Sequence, residues 1–324
     1  MNRTLRAVVV GAALAAVAGC GASSHGSDTV AAAVVLRVGT LGTTKVLFAA
    51  SGEDKNLPYR IEWSSFPAGP QLVEAERAKA VDVGETAETP PIFAHAANTP
   101  VKIVAATKLR DPAQSPLAVI LGKNSPIAGV AQLKGRKVGV TPGTVVQYFL
   151  IKALARAGLR YADITPVNLS MQDGGAALKR GDIDAMAAID PTLARLTTSI
   201  GAKVLVSGVG YVAGYNFHLV RTEILGNAKR SDVVLDFLRR SLRARQWAND
   251  HPGEWAAAYA AANRIPLDLA KVTTGRAQVE YAPIDDSVVA AQQDEADVFY
   301  RLGLLPRQLS VREEFDARFN GRLT

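Results

Sequence analysis

Gly69-Pro70-Gln71-Leu72-Val73-Glu74-Ala75-Glu76-Arg77-Ala78-Lys79, followed by Val81-Asp82-Val83-Gly84 and then Thr89-Pro90-Pro91-Ile92-Phe93, reads as helix, short strand, helix. Proline at the first helical position costs nothing there, because its missing N–H would have had no partner. Upstream, Leu36-Arg37-Val38-Gly39-Thr40 alternates and runs into a loop, and Tyr59-Arg60-Ile61-Glu62-Trp63 is a second strand. A helix-length stretch around Lys45 to Ser51 lies between them. Downstream, Val101 to Ala106, Leu117 to Leu121 and Arg136 to Val140 are further strand runs. Strands alternating with helices predict an α/β fold with mainly parallel sheets.

The pattern occurs twice. Ala78-Lys79-Ala80-Val81-Asp82-Val83-Gly84 has a counterpart in Lys179-Arg180-Gly181-Asp182-Ile183-Asp184-Ala185-Met186. A polar-proline element follows each, Glu88-Thr89-Pro90 in the first case and Asp190-Pro191 in the second. Two similar α/β lobes account for the repetition. After Asn216 the chain turns mostly helical. Val233, Leu235, Phe237, Leu238, Leu242 and Trp247 form an apolar face over Asp232 to Asn249. Pro252 opens a helix through Ala262, and Gln292 to Leu302 is another, ended by Gly303.

The N-terminus is of a different kind. Arg3 and Arg6 precede an apolar run from Ala7 to Ala18, and Val17-Ala18-Gly19-Cys20 follows with small residues at the cut. That is the layout of a secretory signal peptide, too short to span a bilayer as a helix. Cys20 is the only cysteine in the chain, so it has no disulfide partner. The small-small-cysteine ending resembles a bacterial lipoprotein box, which implies cleavage after residue 19 and acylation of Cys20. Residues 20–35 then read as a flexible tether. Cleavage leaves 305 residues and lowers the formal charge from +7 to +5. That length predicts two domains. The basic residues are scattered; Arg239, Arg240, Arg243 and Arg245 are the nearest to a block and read as the solvated face of a helix. Few aromatics and an export signal argue against nucleic acid. No HExxH, CxxC or GxSxG spacing occurs, so neither a metal, a cofactor nor a nucleophile is expected.

Phe66 to Leu72, Gly84 to Ala94, Ser125-Pro126-Ile127 and Leu133 to Val138 together resemble the solute-binding proteins of ABC importers for aliphatic sulfonates. The likeness continues through Gly143-Thr144, Asp182 to Ala185, Ile189-Asp190-Pro191 and Gln292 to Pro306, so it covers roughly residues 36–310. It implies a two-lobed type II periplasmic-binding-protein fold. Lobe 1 would hold residues 36–116 and 218–324, lobe 2 residues 117–217, and two crossing strands would form the hinge. It further implies delivery of a small anionic solute, an aliphatic sulfonate first, to an ABC permease and its ATPase. The alternatives are nitrate, taurine, a sulfate ester or a thiamine precursor as ligand, or a catalytic or signalling role on the same fold. A monomer without enzymatic activity is expected. The chain departs from the family at Thr86-Ala87-Glu88-Thr89-Pro90, at Ile189, at Gln147 and in the shortened loop Thr40-Leu41-Gly42-Thr43-Thr44.

A sulfonate is ionised at physiological pH and offers only acceptor oxygens, so its site needs donors. Helix N-termini supply them as free backbone N–H groups. Three helix starts qualify: Gly69-Pro70-Gln71, Thr86 to Thr89, and Thr144 to Gln147. Glu88 either caps its own helix or holds an amino group on a zwitterion such as taurine. Thr144 and Gln147 serve equally as ligand contacts or as a capping box. Asp190 is a ligand contact, an N-cap or a hinge residue. Thr40 and Leu41 in the first loop and Asn216 at the return crossing complete the candidate set.

Overall fold

The structure, a computed structural model, describes residues 34–323. The signal segment, Cys20 and the tether up to residue 33 lie outside that range. The end of the expected tether is already in the fold, because the first strand starts at Val35.

One sheet holds β1 (Val35–Thr40), β2 (Arg60–Ser65), β3 (Val83–Ala87), β4 (Val101–Leu109), β10 (Tyr215–Arg221) and β11 (Val279–Ala282), in the order β11-β4-β10-β3-β1-β2. The other holds β5 (Leu117–Leu121), β6 (Lys137–Val140), β7 (Thr165–Asn168), β8 (Ala185–Ile189) and β9 (Lys203–Ser207), in the order β7-β6-β8-β5-β9. The chain crosses between the sheets twice, between β4 and β5 and between β9 and β10. With the first sheet go α1 (Thr44–Ser51), α2 (Gly69–Arg77), α3 (Thr89–Ala96) and α7 (Thr222–Leu225). So do α8 (Ala228–Asp250), α9 (Pro252–Asn263), α10 (Leu267–Arg276) and α11 (Asp286–Arg301). The second lobe carries α4 (Val145–Arg156), α5 (Met171–Arg180) and α6 (Thr192–Ser199).

The expectation of mainly parallel sheets is corrected here: both sheets are mixed. β1 pairs in parallel with β2 and β3, and β6 with β7 and β8, whereas every pair involving β10 or β5 is antiparallel. The reason is connectivity. β10 is the strand that comes back from the other lobe and β5 the strand that arrives there, and each enters its sheet from the crossing end.

The repetition in the sequence is a repetition in space. β2-β1-β3-β10 and β7-β6-β8-β5 have the same order and the same strand senses. The two aspartates of the repeat do the same work: Asp82 accepts the Arg37 N–H at 3.0 Å, and Asp184 accepts the Lys137 N–H at 2.8 Å. Asp82 is the more heavily used, gathering Arg37, Arg221 and Arg230 on one fully buried carboxylate.

The lobes meet through side chains as well as through the crossings. Phe299 of α11 packs edge-on against Phe93 of α3 and tilts against Tyr148 of α4, with ring centroids 5.1 and 6.0 Å away. Tyr148 and Lys152 of α4 both reach Asp294 of α11, at 3.0 and 3.2 Å. α11 is thus a lobe-1 element that is also packed on lobe 2.

Candidate functional site

A cavity of about 340 Å³ lies where the two lobes face each other. Its walls come from the loop after β1, the ends of β3 and β8, β10, and helices α8, α9 and α10. The first wall follows from Gly42, whose φ of +108° is a conformation that side-chain-bearing residues avoid. The Gly42 N–H bonds the Thr40 hydroxyl at 3.1 Å, which turns the chain sharply into α1. Thr43, the N-cap, makes no side-chain cap and no acid stands in the first turn. The leading N–H groups of α1 therefore remain available beside a cavity lined by Gly42, Thr43 and Thr44.

Thr86 and Asn216 line the cavity from neighbouring strands, and the Thr86 hydroxyl is buried against Gly69 without a partner. Leu41, Leu47, Ile189, Trp255 and Tyr259 supply apolar surface. Donors beside apolar walls in a volume of this size suit a ligand with a polar head and a short aliphatic body.

Charge enters as two ion pairs. Arg245 of α8 pairs with Glu85 of β3 on the cavity wall. Burial works to raise the Glu85 carboxyl, but the Arg245 and His218 charges outweigh it and hold Glu85 below its ordinary value. Arg276 of α10 reaches Asp190 at 3.4 Å, joining the lobes across the cavity. Burial pushes Asp190 up to about 6, against the opposing pull of Arg276 and the Ala194 N–H.

Of the residues picked out from the sequence, Leu41, Thr86, Asp190 and Asn216 line this cavity. Thr40 is buried just behind the loop that it shapes. Asp190 also accepts the Ala194 N–H at 3.0 Å, so it caps the first turn of α6 while facing the cavity. The other candidates are placed elsewhere. Gly69 is packed into Thr86 and Pro90, where no Cβ would fit, and Gln71 is exposed. Pro70 lies across from Gly143, so the starts of α2 and α4 face each other outside the cavity lining. Thr144 donates its hydroxyl to the Thr141 carbonyl, and Gln147 accepts the Gly143 N–H at 2.8 Å, so both are satisfied locally. Glu88 makes no bond to its own helix; it accepts the Tyr215 N–H at 3.0 Å on the return strand.

Sequence reasoning missed Glu85, Arg245 and the contribution of α9 and α10. Arg245 corrects the reading of the α8 arginines as a solvated face. Leu238, Ser241, Arg245 and Ala248 are spaced as one stripe, and its other three members are buried. A lone cation on such a stripe signals an internal partner, and Glu85 was available immediately before Thr86.

The chain is 31% identical over 283 residues to a protein of Escherichia coli (strain K12) named for binding aliphatic sulfonates, covering 86% of this chain and 87% of that one. The alkanesulfonate-binding protein SsuA from Xanthomonas axonopodis pv. citri, solved bound to MOPS, superposes with a TM-score of 0.80 at 27% identity, over 88% of this chain and 99% of that one. The same fold, at a TM-score of 0.63 and only 15% identity, occurs in the desulfurization enzyme DSZB, over 90% of this chain and 98% of that one. That last likeness is one of fold alone. Residues 66–255, more than half of the sequence, match the family described as NMT1/THI5 like, and the chain belongs to that family.

Proposed function

We propose that this protein is the extracytoplasmic solute-binding component of an ABC importer, capturing an aliphatic sulfonate between its lobes and passing it to a permease driven by an ATPase. The observation that carries the reading is the interlobe cavity, with the open N-terminus of α1, Thr86 and Asn216 on one side and an aliphatic and aromatic wall beside them. The sulfonate oxygens accept from those donors while the alkyl chain covers Leu47, Ile189 and Trp255. The two crossings, from β4 to β5 and from β9 to β10, act as the hinge, and ligand contacts from both lobes hold the closed form. Anchoring rests on the sequence: residues 1–19 are removed, Cys20 is acylated, and the following segment leads to β1 as a tether. Among the described residues no helix is long and apolar enough to cross a membrane.

A second reading concerns the far end of the ligand. Glu85 Oε1 is buried and unpartnered beside the cavity, an acceptor that a plain alkanesulfonate does not use. It favours a solute that carries an amino group as well as the sulfonate. Titration calorimetry with ethanesulfonate, butanesulfonate and 2-aminoethanesulfonate tests both readings. Micromolar binding of at least one is expected, with the amino compound preferred under the second. No heat with any of the three overturns the import reading for sulfonates.

A further inference from the structure

A second cavity, about 640 Å³, lies between α8 and β11. It shares two wall residues with the interlobe cavity, Arg245 and Val279, so the two spaces adjoin at the Arg245 side chain. Strand register explains how polar groups come to line it. Thr107 of β4 stands opposite both Asn216 of β10 and Tyr281 of β11, so these three side chains share one face of the sheet. That face runs from the interlobe cavity under α8 into the second cavity.

Two polar atoms on this route have no partner. Thr107 is completely buried, lines the second cavity, and its hydroxyl makes no hydrogen bond. The Arg245 Nε–H is likewise buried and unpartnered, since Glu85 is met only by Nη2. Buried polar groups are nearly always satisfied, so two orphans on one cavity wall mark a place where something polar belongs. Charge decides what that is. Arg239, Arg243 and Gln246 follow one another at helical spacing along the α8 wall. Among the described residues the one carboxylate in the lining, Glu280, is tied to Lys108 at 3.4 Å. Arg243 is engaged by Glu53, and Arg239 donates to the Arg322 carbonyl. Donors outnumber acceptors, and guanidinium groups match the planar fork of a carboxylate.

We infer that the α8–β11 cavity is a second binding site, separate from the interlobe one, that takes a small carboxylate or comparable oxyanion against Thr107 and Arg245. An anion there uses the free Arg245 Nε–H and leaves its Nη2 on Glu85, so the wall between the two cavities stays intact. The site is distinct from the one assigned to sulfonates, and its occupancy is measured without any sulfonate present.

The test is titration of the full chain with citrate and, separately, inorganic phosphate in an amine buffer, using wild type, Thr107→Val, Arg239→Ala and Asn216→Ala. Circular dichroism controls for folding; Thr107→Val is isosteric and removes a hydroxyl that has no partner, so the fold is expected to hold. Binding of at least one probe is expected in wild type, about tenfold weaker in Thr107→Val and weaker again in Arg239→Ala. Asn216 lines the interlobe cavity and not the second one, so Asn216→Ala is expected to weaken probe binding less than Thr107→Val does. No heat from either probe overturns the inference. So does binding that survives Thr107→Val but is lost in Asn216→Ala, which would place the anion between the lobes. Failure of ethanesulfonate to bind would count against the proposed function and leave this result untouched.

Discussion

At the scale of single residues, the cavity separates contacts from supports. Asn216 lines the proposed ligand space with a donor and Thr86 with a hydroxyl packed against Gly69 and free to be recruited. A hydrogen bond to a charged group contributes about 1.5–3 kcal/mol. Thr86→Val and Asn216→Ala are therefore expected to weaken sulfonate binding roughly 10- to 100-fold by calorimetry. Gln71→Ala, at an exposed helix start away from the cavity, is expected to change it less than about twofold. Equal losses at Gln71 and Thr86 would mean that the ligand sits between α2 and α4 instead. The Arg245–Glu85 pair behaves differently, because its partners are mostly shielded from water. Removing one partner strands the other's charge, so Arg245→Met alone should cost on the order of 3 kcal/mol of stability in urea melts. Arg245→Met combined with Glu85→Leu should recover much of that loss. A double variant as unstable as the sum of the two single ones would refute the pairing.

Among the elements, the seam of α3, α11 and the chain just after Ser310 carries three buried acids. Burial pushes Glu314 up to about 8 against the pull of Gln292 and Lys102, and Glu88 up to about 7 against the Tyr215 and Gly214 N–H groups. Burial and then the neighbouring Glu88 charge hold Glu295 well above its ordinary range too. Raised carboxyls mean that the folded state binds more protons than the unfolded one, so stability falls as pH rises toward these values. Buried His218, shifted below its ordinary value, acts in the opposite sense only up to about pH 6.5. The melting temperature is therefore expected to drop between pH 6.5 and 8.5, and Glu314→Gln should flatten that slope. A flat wild-type profile would contradict it. Legibility from sequence divides along the same lines. β5 was bounded to the residue, because a fully buried strand is a continuous apolar run. The repeated Val-Asp-Val and Ile-Asp-Ala units were recognisable because each aspartate does a backbone job that its neighbours cannot. α10, β9 and β11 went unread: Val272 and Val204 point apolar groups to solvent, which blurs the periodicity. The site was half legible, since Thr86 and Asp190 sit in local motifs while Arg245 gains its role from a strand 160 positions away.

For the molecule as a whole, the proposed function draws on two things outside any one element, the tether and the closure of the lobes. Two acyl chains hold a soluble protein on a bilayer where one alone is marginal. Cys20→Ala is therefore expected to shift the protein from the membrane fraction to the medium, or to leave it unprocessed, by fractionation and immunoblot; unchanged membrane retention would end the lipoprotein reading. The position of β10 has a separate consequence for how the molecule comes into being. β10 lies between β3 and β4, yet it is made more than a hundred residues after either of them. Until it arrives, β3 and β4 each present an unpaired edge, the kind that recruits other chains. The five-stranded lobe is contiguous and can form as soon as it emerges, so the last-made part of the polypeptide completes the first-made sheet. If the chain is exported unfolded through the proposed leader, the first sheet stays divided until β10 has crossed the membrane. A truncation ending just before Tyr215 should aggregate, whereas residues 117–207 expressed alone should remain soluble.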